Sequence, residues 1–428
     1  MKKAHFIGIG GIGMSALAQY FHDQDVIITG SDREASPVTE LLEKKGIRVS
    51  IGHAPEHVPD DAQMIVYSDA VPEDNVERAR ARELGISKLS YFQMLGQVSR
   101  GKHTVAVAGT HGKTTTTGML AAILRDAGAS PTAIVGSIVK DFDSNYLHGD
   151  SDLFVVEACE YRDHVLELSP QVLVLTNVEW DHTDWFPSLQ VLQATFRRAI
   201  ERVPSEGYII TDPSNPNIAP LLVGAVAAVV DYTKESSYKL RLPGEFNQQN
   251  ARAAAAAARV VLPTITDATI TESLAAFHGT WRRFEYKGKT KNGTDVYDDY
   301  AHHPTAVKAT LEALRAQTKG KIFVAFHPHL YSRTRDLLDE FAVAFSDADK
   351  VFIAPIYAAR ETDDGSVSSE MLAERIRATG TEAAAYDSFD AIETALAEAG
   401  HGDVIMTMGA GDIYKVADRL VTKQKNDP

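Results

Sequence analysis

The feature that most constrains this chain is a repeated alternation of short, apolar, β-branched runs with longer stretches of helical periodicity. Runs over residues 4–8, 26–30, 64–67, 104–107, 153–157, 172–176, 207–211 and 225–230 read as buried strands, followed later by 293–298, 321–326, 350–354 and 403–406. This pattern predicts an α/β chain of mostly parallel sheets covered by helices. At roughly 150 residues per domain, 428 residues predict about three domains. One boundary is expected near Ser99-Arg100-Gly101, before a new strand-loop-helix start. The second is expected near His278-Gly279, after the helix that contains the alanine run 253–258. The expected domains are therefore 1–100, 101–278 and 279–428. The alanine run is an ordinary helix former.

Composition excludes several classes. No apolar run approaches the ~18 residues of a membrane span, and glycines break the apolar stretch at the N-terminus too early for a signal peptide. A single cysteine, Cys159, makes no intramolecular disulfide, which predicts a reducing, cytoplasmic setting. Forty-three basic against 58 acidic residues give a net charge of −15, which disfavours a nucleic-acid groove but not a local nucleotide site. Repeats and heptads are absent.

Two glycine turns carry the chemistry. The first predicted strand runs into Gly8-Ile9-Gly10-Gly11-Ile12-Gly13-Met14-Ser15 and then a helix, a G-x-G-x-x-G turn in strand-turn-helix context. Such a turn lets the backbone approach a pyrophosphate at a helix N-terminus. Asp32, at the end of the next predicted strand, is expected to meet a ribose hydroxyl. The turn predicts a diphosphate-bearing nucleotide without saying which; alone it would suggest an NAD-dependent dehydrogenase.

The second turn is Gly109-Thr110-His111-Gly112-Lys113-Thr114-Thr115, again between a predicted strand and a helix. The strict Walker spacing fails, because Val107 stands where the first glycine belongs. The physics survives: backbone amides and Lys113 face the phosphates of ATP, and the Thr114 hydroxyl is a Mg²⁺ ligand. Glu157 and the segment Asn177-Val178-Glu179-Trp180-Asp181-His182 follow strands of the same domain, where a parallel sheet presents its ligands. Glu157 and His182 are the expected further Mg²⁺ ligands, directly or through water.

A dehydrogenase has no use for a phosphate loop, and a simple ATPase has no use for the first turn. The two turns, together with Gly244-Glu245-Phe246-Asn247-Gln248-Gln249-Asn250-Ala251, Arg282-Arg283-Phe284-Glu285, Asp298-Asp299-Tyr300-Ala301-His302-His303-Pro304, His327-Pro328-His329-Leu330-Tyr331-Ser332-Arg333-Thr334 and Met408-Gly409-Ala410-Gly411-Asp412, closely resemble the Mur ligase family. The likeness covers nearly the whole chain and is strongest to alanine-adding members. It implies an N-terminal Rossmann-like domain for a UDP-sugar, a central P-loop ATPase-type α/β domain, and a C-terminal Rossmann-like domain for the amino acid.

In that resemblance Gly8, Gly10, Gly11, Gly13, Ser15, Asp32, Ser68 and Asn75 surround the UDP-sugar, with no nicotinamide. Asn247 and Asn250 contact adenine, Arg283 the phosphates and Asp299 the ATP ribose. Tyr300, His302, His329 and Arg333 line the amino-acid site. The implied substrates are ATP, UDP-N-acetylmuramate and L-alanine, with Mg²⁺, and the protein is a monomer or homodimer. The implied reaction places the γ-phosphoryl group on the lactyl carboxylate and lets the amine displace phosphate. Lys113, Glu157 and His182 serve that step. His329 is a candidate acceptor for the amine proton, and Arg333 suits the alanine carboxylate as a planar fork.

Three positions depart from relatives: Phe246 where histidine is frequent, and His327 and Leu330 where some have Gln and Arg. No lysine lies in the helical segment 193–199, so no carbamoylated lysine is expected. Imidazoles at 302–303 and 327–329 have the composition of a zinc site, but His303 precedes a proline and reads as a helix cap. The rival readings are a murein peptide ligase taking a recycled tripeptide, and a non-catalytic nucleotide sensor. A sensor is expected to have lost Lys113, Glu157 or His182, and all three are present.

Overall fold

In the computed structural model, which describes residues 1–421, the chain forms three β-sheets flanked by helices. Strands β1 (Lys3–Ile7), β2 (Ile27–Asp32), β3 (Arg48–Ile51), β4 (Met64–Tyr67) and β5 (Lys88–Ser90) make a five-stranded parallel sheet in the order β3-β2-β1-β4-β5. Strands β6 (His103–Ala108), β7 (Thr132–Val139), β8 (Ser144–Leu147), β9 (Leu153–Glu157), β10 (Val172–Leu175), β11 (Tyr208–Thr211) and β12 (Ala228–Asp231) make a seven-stranded sheet, β12-β11-β10-β6-β9-β7-β8. Only its β7–β8 pair is antiparallel. Strands β13 (Glu285–Lys289), β14 (Asp295–Asp299), β15 (Ile322–Phe326), β16 (Lys350–Ile353), β17 (Glu382–Ala385) and β18 (Val404–Met408) make a six-stranded sheet, β13-β14-β18-β15-β16-β17. There only β13–β14 is antiparallel.

The central strands are apolar along their whole length because helices cover both faces. β10 and β15 are buried throughout, and Ala4, Phe6 and Ile7 of β1 are fully enclosed. Helix starts are written locally. Ser36 and Ser90 form capping boxes with Thr39 and Gln93, and Asn75, Thr266, Ser368 and Ser388 cap their helices with side-chain oxygens.

The first and second sheets each reverse their chain order at a central strand, β1 and β6. An open parallel sheet leaves its ligand crevice beyond the carboxyl ends of the strands at such a point. Both glycine turns emerge there. The chain divides into two compact units. One comprises Met1–Val178, Gln193–Lys239 and Gln249–His278 and holds the first two sheets; the other comprises Glu179–Leu192, Leu240–Gln248 and the described residues from Gly279 onward, and holds the third.

Some elements differ from the sequence expectation. The strand expected over 225–230 begins only at Ala228, and that expected over 293–298 occupies Asp295–Asp299, because Gly293 is a turn residue with φ +83°. The helix with the alanine run, Glu245–Val261, stops short of the expected boundary, and a further helix, Asp267–Ala276, fills the interval. Strands β3, β5, β7, β8, β13 and β17 were not among the expected runs; β3, β5, β13 and β17 are partly exposed along most of their length, whereas β7 and β8 are mostly buried. No helix among the described residues is long and apolar enough to cross a membrane.

Candidate active site

The phosphate loop joins β6 to the helix Lys113–Asp126, whose N-terminus is Gly112 with φ +80°. Two residues after β10 hold it. Asn177 accepts the Thr110 amide on its carbonyl at 3.1 Å and the His111 amide on Oδ1 at 2.8 Å, while its Nδ2 donates to the His111 carbonyl at 3.0 Å. Thr176 Oγ1 donates to the same carbonyl at 2.6 Å. Gly109 and Gly112 are required sterically: a Cβ would lie 2.2 Å from Thr176 Oγ1 at the first and 2.2 Å from Asn250 Oδ1 at the second.

The Lys113 ammonium folds back over this loop, donating to the Gly109 carbonyl at 2.5 Å and the Thr110 carbonyl at 3.1 Å. It also pairs with the buried Glu160 at 3.0 Å. Burial opposes its charge, but Glu160, then Cys159 and Glu157, outweigh that and hold its pKa above the ordinary lysine value. Glu157 ends β9 and accepts from Thr114 Oγ1 at 3.0 Å and from the Gly136 amide at 2.8 Å. A Cβ on Gly136 would fall 2.4 Å from Glu157 Oε2, so that glycine on β7 makes the seat for the carboxylate. Thr115 is buried in the first helical turn.

A hydroxyl and a carboxylate in contact, both of hard oxygen, fit a Mg²⁺ ion beside phosphates. Of the three expected ligands, Thr114 and Glu157 are brought together. His182 belongs to the second compact unit, where its amide donates to Asp181 Oδ1 at 2.6 Å and its own φ is +52°.

The first glycine turn is held more tightly than its motif suggests. The Gly8 and Ile9 amides donate to the Ser31 carbonyl, at 2.8 and 2.9 Å, and the Gly11 amide to the Gly8 carbonyl at 3.2 Å. Asp32 Oδ2 accepts the Gly10 amide at 2.8 Å, so this carboxylate ties the turn itself. The amides of the first helical turn are the donors such a helix leaves for a ligand. Gly13 is needed for packing, since a Cβ there would meet the Tyr91 ring at 2.5 Å. Ser68 follows β4 and accepts the Ala70 amide on Oγ at 3.3 Å, and Asn75 caps the helix Val76–Glu83 through the Glu77 and Arg78 amides.

Ser15 is a correction. Expected at the UDP-sugar, it is fully buried, donates to the Ile12 carbonyl at 2.9 Å and accepts from Asn145 Nδ2 at 2.8 Å. It lies one turn inside the helix Ile12–His22, on the face that packs against the β7–β8 hairpin.

Asn250 lies in the first unit and accepts Thr116 Oγ1 at 3.2 Å; Asn247 lies in the second and donates to the Pro243 carbonyl at 2.7 Å. At the end of β14, Asp299 accepts the Phe284 and Ala301 amides, each at 2.7 Å. Burial pushes its carboxyl up to about 6 despite Arg283. The Arg283 guanidinium stands 5.0 Å from the Tyr300 ring centre.

The four expected amino-acid residues converge in the second unit. His302 Nδ1 donates to the Tyr300 carbonyl at 2.9 Å, and the His302 and His329 rings lie 5.9 Å apart, edge to face. Arg333 is buried and donates from Nε to Asp181 Oδ1 at 2.7 Å, and from Nη1 to His329 Nδ1 at 2.9 Å and to its carbonyl at 3.1 Å. An arginine only donates, so His329 Nδ1 carries the lone pair. Burial, then Arg333 and Arg360, push the His329 pKa to about 3, and burial with Arg333 takes His302 well below its ordinary value. Burial raises the Asp181 pKa, but Arg333 foremost, then the nearby histidines, hold it well below the carboxylate range. His303 caps the helix Pro304–Arg315 as expected, accepting the Thr305 amide at 3.3 Å, while Nε2 donates to the Trp180 carbonyl at 3.1 Å.

Sequence reasoning did not assign roles to Glu160, Gly136, Asp181 or Arg282. Arg282 is buried and pairs with Asp298 at 2.8 Å, and its other nitrogens donate to the Gly411 and Gly409 carbonyls at 2.8 and 2.7 Å, fixing the turn after β18. Its place in Arg282-Arg283 was a signal; the others depend on pairings that spacing does not encode.

Two parallel-sheet α/β crevices, one with a phosphate loop, and a third sheet bearing a buried arginine-histidine cluster define a multidomain, nucleotide-using enzyme fold. Residues 3–103 match the Mur ligase family catalytic domain, 107–236 the Mur ligase middle domain, and 282–411 the Mur ligase glutamate ligase domain. The chain is 38% identical to the UDP-N-acetylmuramate--L-alanine ligase of Clostridium botulinum over 98% of this chain and 97% of that one. It belongs to the Mur ligase family. Among solved structures it resembles the UDP-N-acetylmuramate-alanine ligase of Thermotoga maritima, with TM-score 0.82, 27% identity and 98% of each chain covered. A murein peptide ligase of Psychrobacter arcticus shares the fold at TM-score 0.74 and 24% identity, over 98% of each chain.

Proposed function

We propose that this chain joins L-alanine to the lactyl carboxylate of UDP-N-acetylmuramate with hydrolysis of ATP to ADP and phosphate, in the cytoplasm, as a step of peptidoglycan precursor synthesis. The observation that carries the reading is the end-to-end likeness to alanine-adding ligases, coupled to an intact Lys113–Thr114–Glu157 phosphate site. In this reading residues 1–100 take the UDP-sugar through Gly8, Gly10, Gly11, Gly13, Asp32, Ser68 and Asn75. Residues 101–278 take ATP on the loop from Gly109 to Thr115, with Asn250 toward adenine. Residues 279–428 supply Arg283, Asp299 and the amino-acid site of Tyr300, His302, His329 and Arg333, and Asn247 is proposed, on its motif position, as a second adenine contact.

A carboxylate does not acylate an amine at neutral pH, so it is first phosphorylated. The carboxylate oxygen attacks the γ-phosphorus and ADP leaves. The amine then adds to the acyl phosphate carbonyl, and the tetrahedral adduct collapses to an amide and phosphate. The protein's contribution is alignment of two anions and neutralisation of their charge. Lys113 leaves its loop carbonyls for the γ-phosphoryl oxygens. Thr114, Glu157 and His182 would hold Mg²⁺, which supplies charge neutralisation at the phosphates. No enzyme nucleophile is used. Cys159, the lone thiol, has its pKa pushed up to about 12 by burial and Glu160.

His329, expected to accept the amine proton, is better read as a positioning residue, because its free lone pair is committed to Arg333 and its basicity is low. Arg333 keeps Nη2 for the alanine carboxylate. The test is phosphate release from ATP and Mg²⁺ with UDP-N-acetylmuramate and L-alanine, glycine, L-serine or the stem tripeptide in parallel, with the product's mass measured. Alanine-dependent release with the UDP-muramoyl-alanine mass is expected. Preference for the tripeptide would reassign the chain to recycling.

A further inference from the structure

The helix Tyr91–Ser99 lies between the two glycine-turn crevices of the first compact unit. Its start is fixed by a reciprocal cap: the Ser90 amide donates to Gln93 Oε1 at 3.0 Å and the Gln93 amide to Ser90 Oγ at 3.2 Å. Its length rests on the segment that follows β9. A Cβ on Gly96 would fall 2.4 Å from the Glu167 carbonyl, and the Ser169 amide donates to Ser99 Oγ at 3.2 Å. Phe92 stacks on His164 with ring centres 3.6 Å apart, and His164 pairs at 3.0 Å with Asp69, the residue after Ser68. The place of Tyr91 is determined by these contacts. Its ring meets Phe92 edge to face with centres 4.7 Å apart, and its Cζ and Oη would lie 2.5 and 2.6 Å from a Cβ on Gly13. Gly13 sits in the first turn of its helix, beside Ile12, whose carbonyl accepts Asn145 Nδ2 from β8 of the second sheet. That sheet carries Glu157 at the end of β9.

The Tyr91 side chain is partly buried, and its hydroxyl makes no hydrogen bond to the described residues. Burial, then the nearby Glu157 and Cys159, raise its pKa, so it keeps its proton at neutral pH and remains a donor. The hydroxyl therefore has the first glycine turn on one side and the carboxylate of the phosphate site on the other.

We propose that Tyr91 contacts the substrate: its hydroxyl donates to the muramoyl part of the UDP-sugar, between the diphosphate held at the first glycine turn and the lactyl carboxylate presented to the γ-phosphate. The proposal deepens the ligase reading above and rests on it. A diphosphate held at the turn fixes one end of the substrate only. Rotation about the bonds beyond it lets the carboxylate swing away from phosphorus, so a second fixed point near the reacting end is needed for alignment. A neutral donor suits that place. A further anion would repel the carboxylate, and a further cation would hold it as an ion pair away from Lys113.

The test is Tyr91→Phe in the full chain, with calorimetric titrations of UDP-N-acetylmuramate, UDP and ATP. Phenylalanine keeps the ring on Gly13 and breaks no hydrogen bond to the described residues, so the variant should fold with an unchanged Tm. Its Kd for UDP-N-acetylmuramate should rise about tenfold, the loss of one hydrogen bond to a substrate oxygen, with the Kd values for UDP and ATP unchanged. A merely structural tyrosine would not separate the sugar nucleotide from UDP. An unchanged Kd for UDP-N-acetylmuramate would overturn the proposal. An equal loss for UDP would place the hydroxyl on the diphosphate, and a loss confined to ATP would place it at the γ-phosphate; either result would overturn the proposal and leave the ligase reading standing. Failure of the unsubstituted chain to bind UDP-N-acetylmuramate would overturn the ligase reading, and the proposal with it.

Discussion

Thr114 donates its hydroxyl to Glu157 at 3.0 Å, bringing the first turn of the phosphate-loop helix against the carboxyl end of β9. The contact assembles a hard-oxygen pair at the switch point of the second sheet. Thr114→Ala and Glu157→Gln should each raise the Mg²⁺ concentration for half-maximal turnover on the order of 10-fold to 100-fold. Thr114→Ser, which keeps the hydroxyl, should stay near the original value. A Mg²⁺ titration of the steady-state rate checks this, and chelation with EDTA should abolish turnover reversibly.

Lys113 sits on Glu160 and two loop carbonyls. Its charge matters most when negative charge moves between oxygens. Lys113→Met should therefore lower kcat on the order of 10²-fold to 10³-fold, with the KM for UDP-N-acetylmuramate nearly unchanged. Initial-rate kinetics with each substrate varied would separate the two effects.

Ser15 separates a ligand role from a packing role. Its oxygen satisfies Asn145, and no part of the side chain reaches solvent. Ser15→Ala should destabilise the chain by about 1–3 kcal/mol, the cost of leaving a buried donor without an acceptor. The KM for UDP-N-acetylmuramate should stay the same. Urea unfolding and initial rates on the same preparation would show both; an unchanged midpoint with a raised KM would restore the ligand role.

Acid should weaken the fold through three histidines. His302, His327 and His329 are held neutral by burial and nearby arginines, His327 at about 4 and His329 at about 3. The unfolded chain protonates them near 6.5, so it binds more protons and stability falls as pH drops below that value. Each contributes about 1.4 kcal/mol per pH unit at most. Asp299 acts oppositely, because its folded carboxyl titrates near 6: its contribution is present below the ordinary carboxylate range and lost as pH rises through about 6. Burial raises the Asp298 carboxyl as well, so three histidine protons stand against two carboxyl protons; the balance is still a net fall, and Tm should drop from pH 6.5 to 5. His329→Asn should flatten that slope; a Tm independent of pH over this window would contradict the assignment.

The fold was legible where an unbroken apolar run marks a central strand; β7, Thr-Ala-Ile-Val-Gly-Ser-Ile-Val, was missed although mostly buried, its run being broken by Gly136 and Ser137. β6, β9, β10 and β15 are buried on both faces, so their sequence is a continuous apolar run. Edge strands such as β13, Glu-Tyr-Lys-Gly-Lys, carry no such run, since their pairing comes from the neighbouring strand. The site was legible where chemistry needs fixed local spacing, as in Gly109 to Thr115. Asp181–Arg333, 152 positions apart, and Gly136–Glu157 depend on tertiary approach, which no local pattern encodes. Ser15 misled because its motif position suggests ligand contact, while helix phase turns it inward.

The central claim is that ATP activates the carboxylate as an acyl phosphate. UDP-N-acetylmuramate labelled with oxygen-18 in its lactyl carboxylate, turned over with ATP, Mg²⁺ and L-alanine, tests it most directly. The account predicts that every released phosphate carries one labelled oxygen per fully labelled carboxylate, because the oxygen that attacks phosphorus departs with it when the amide forms. Phosphate without label, alongside UDP-muramoyl-alanine, would contradict it.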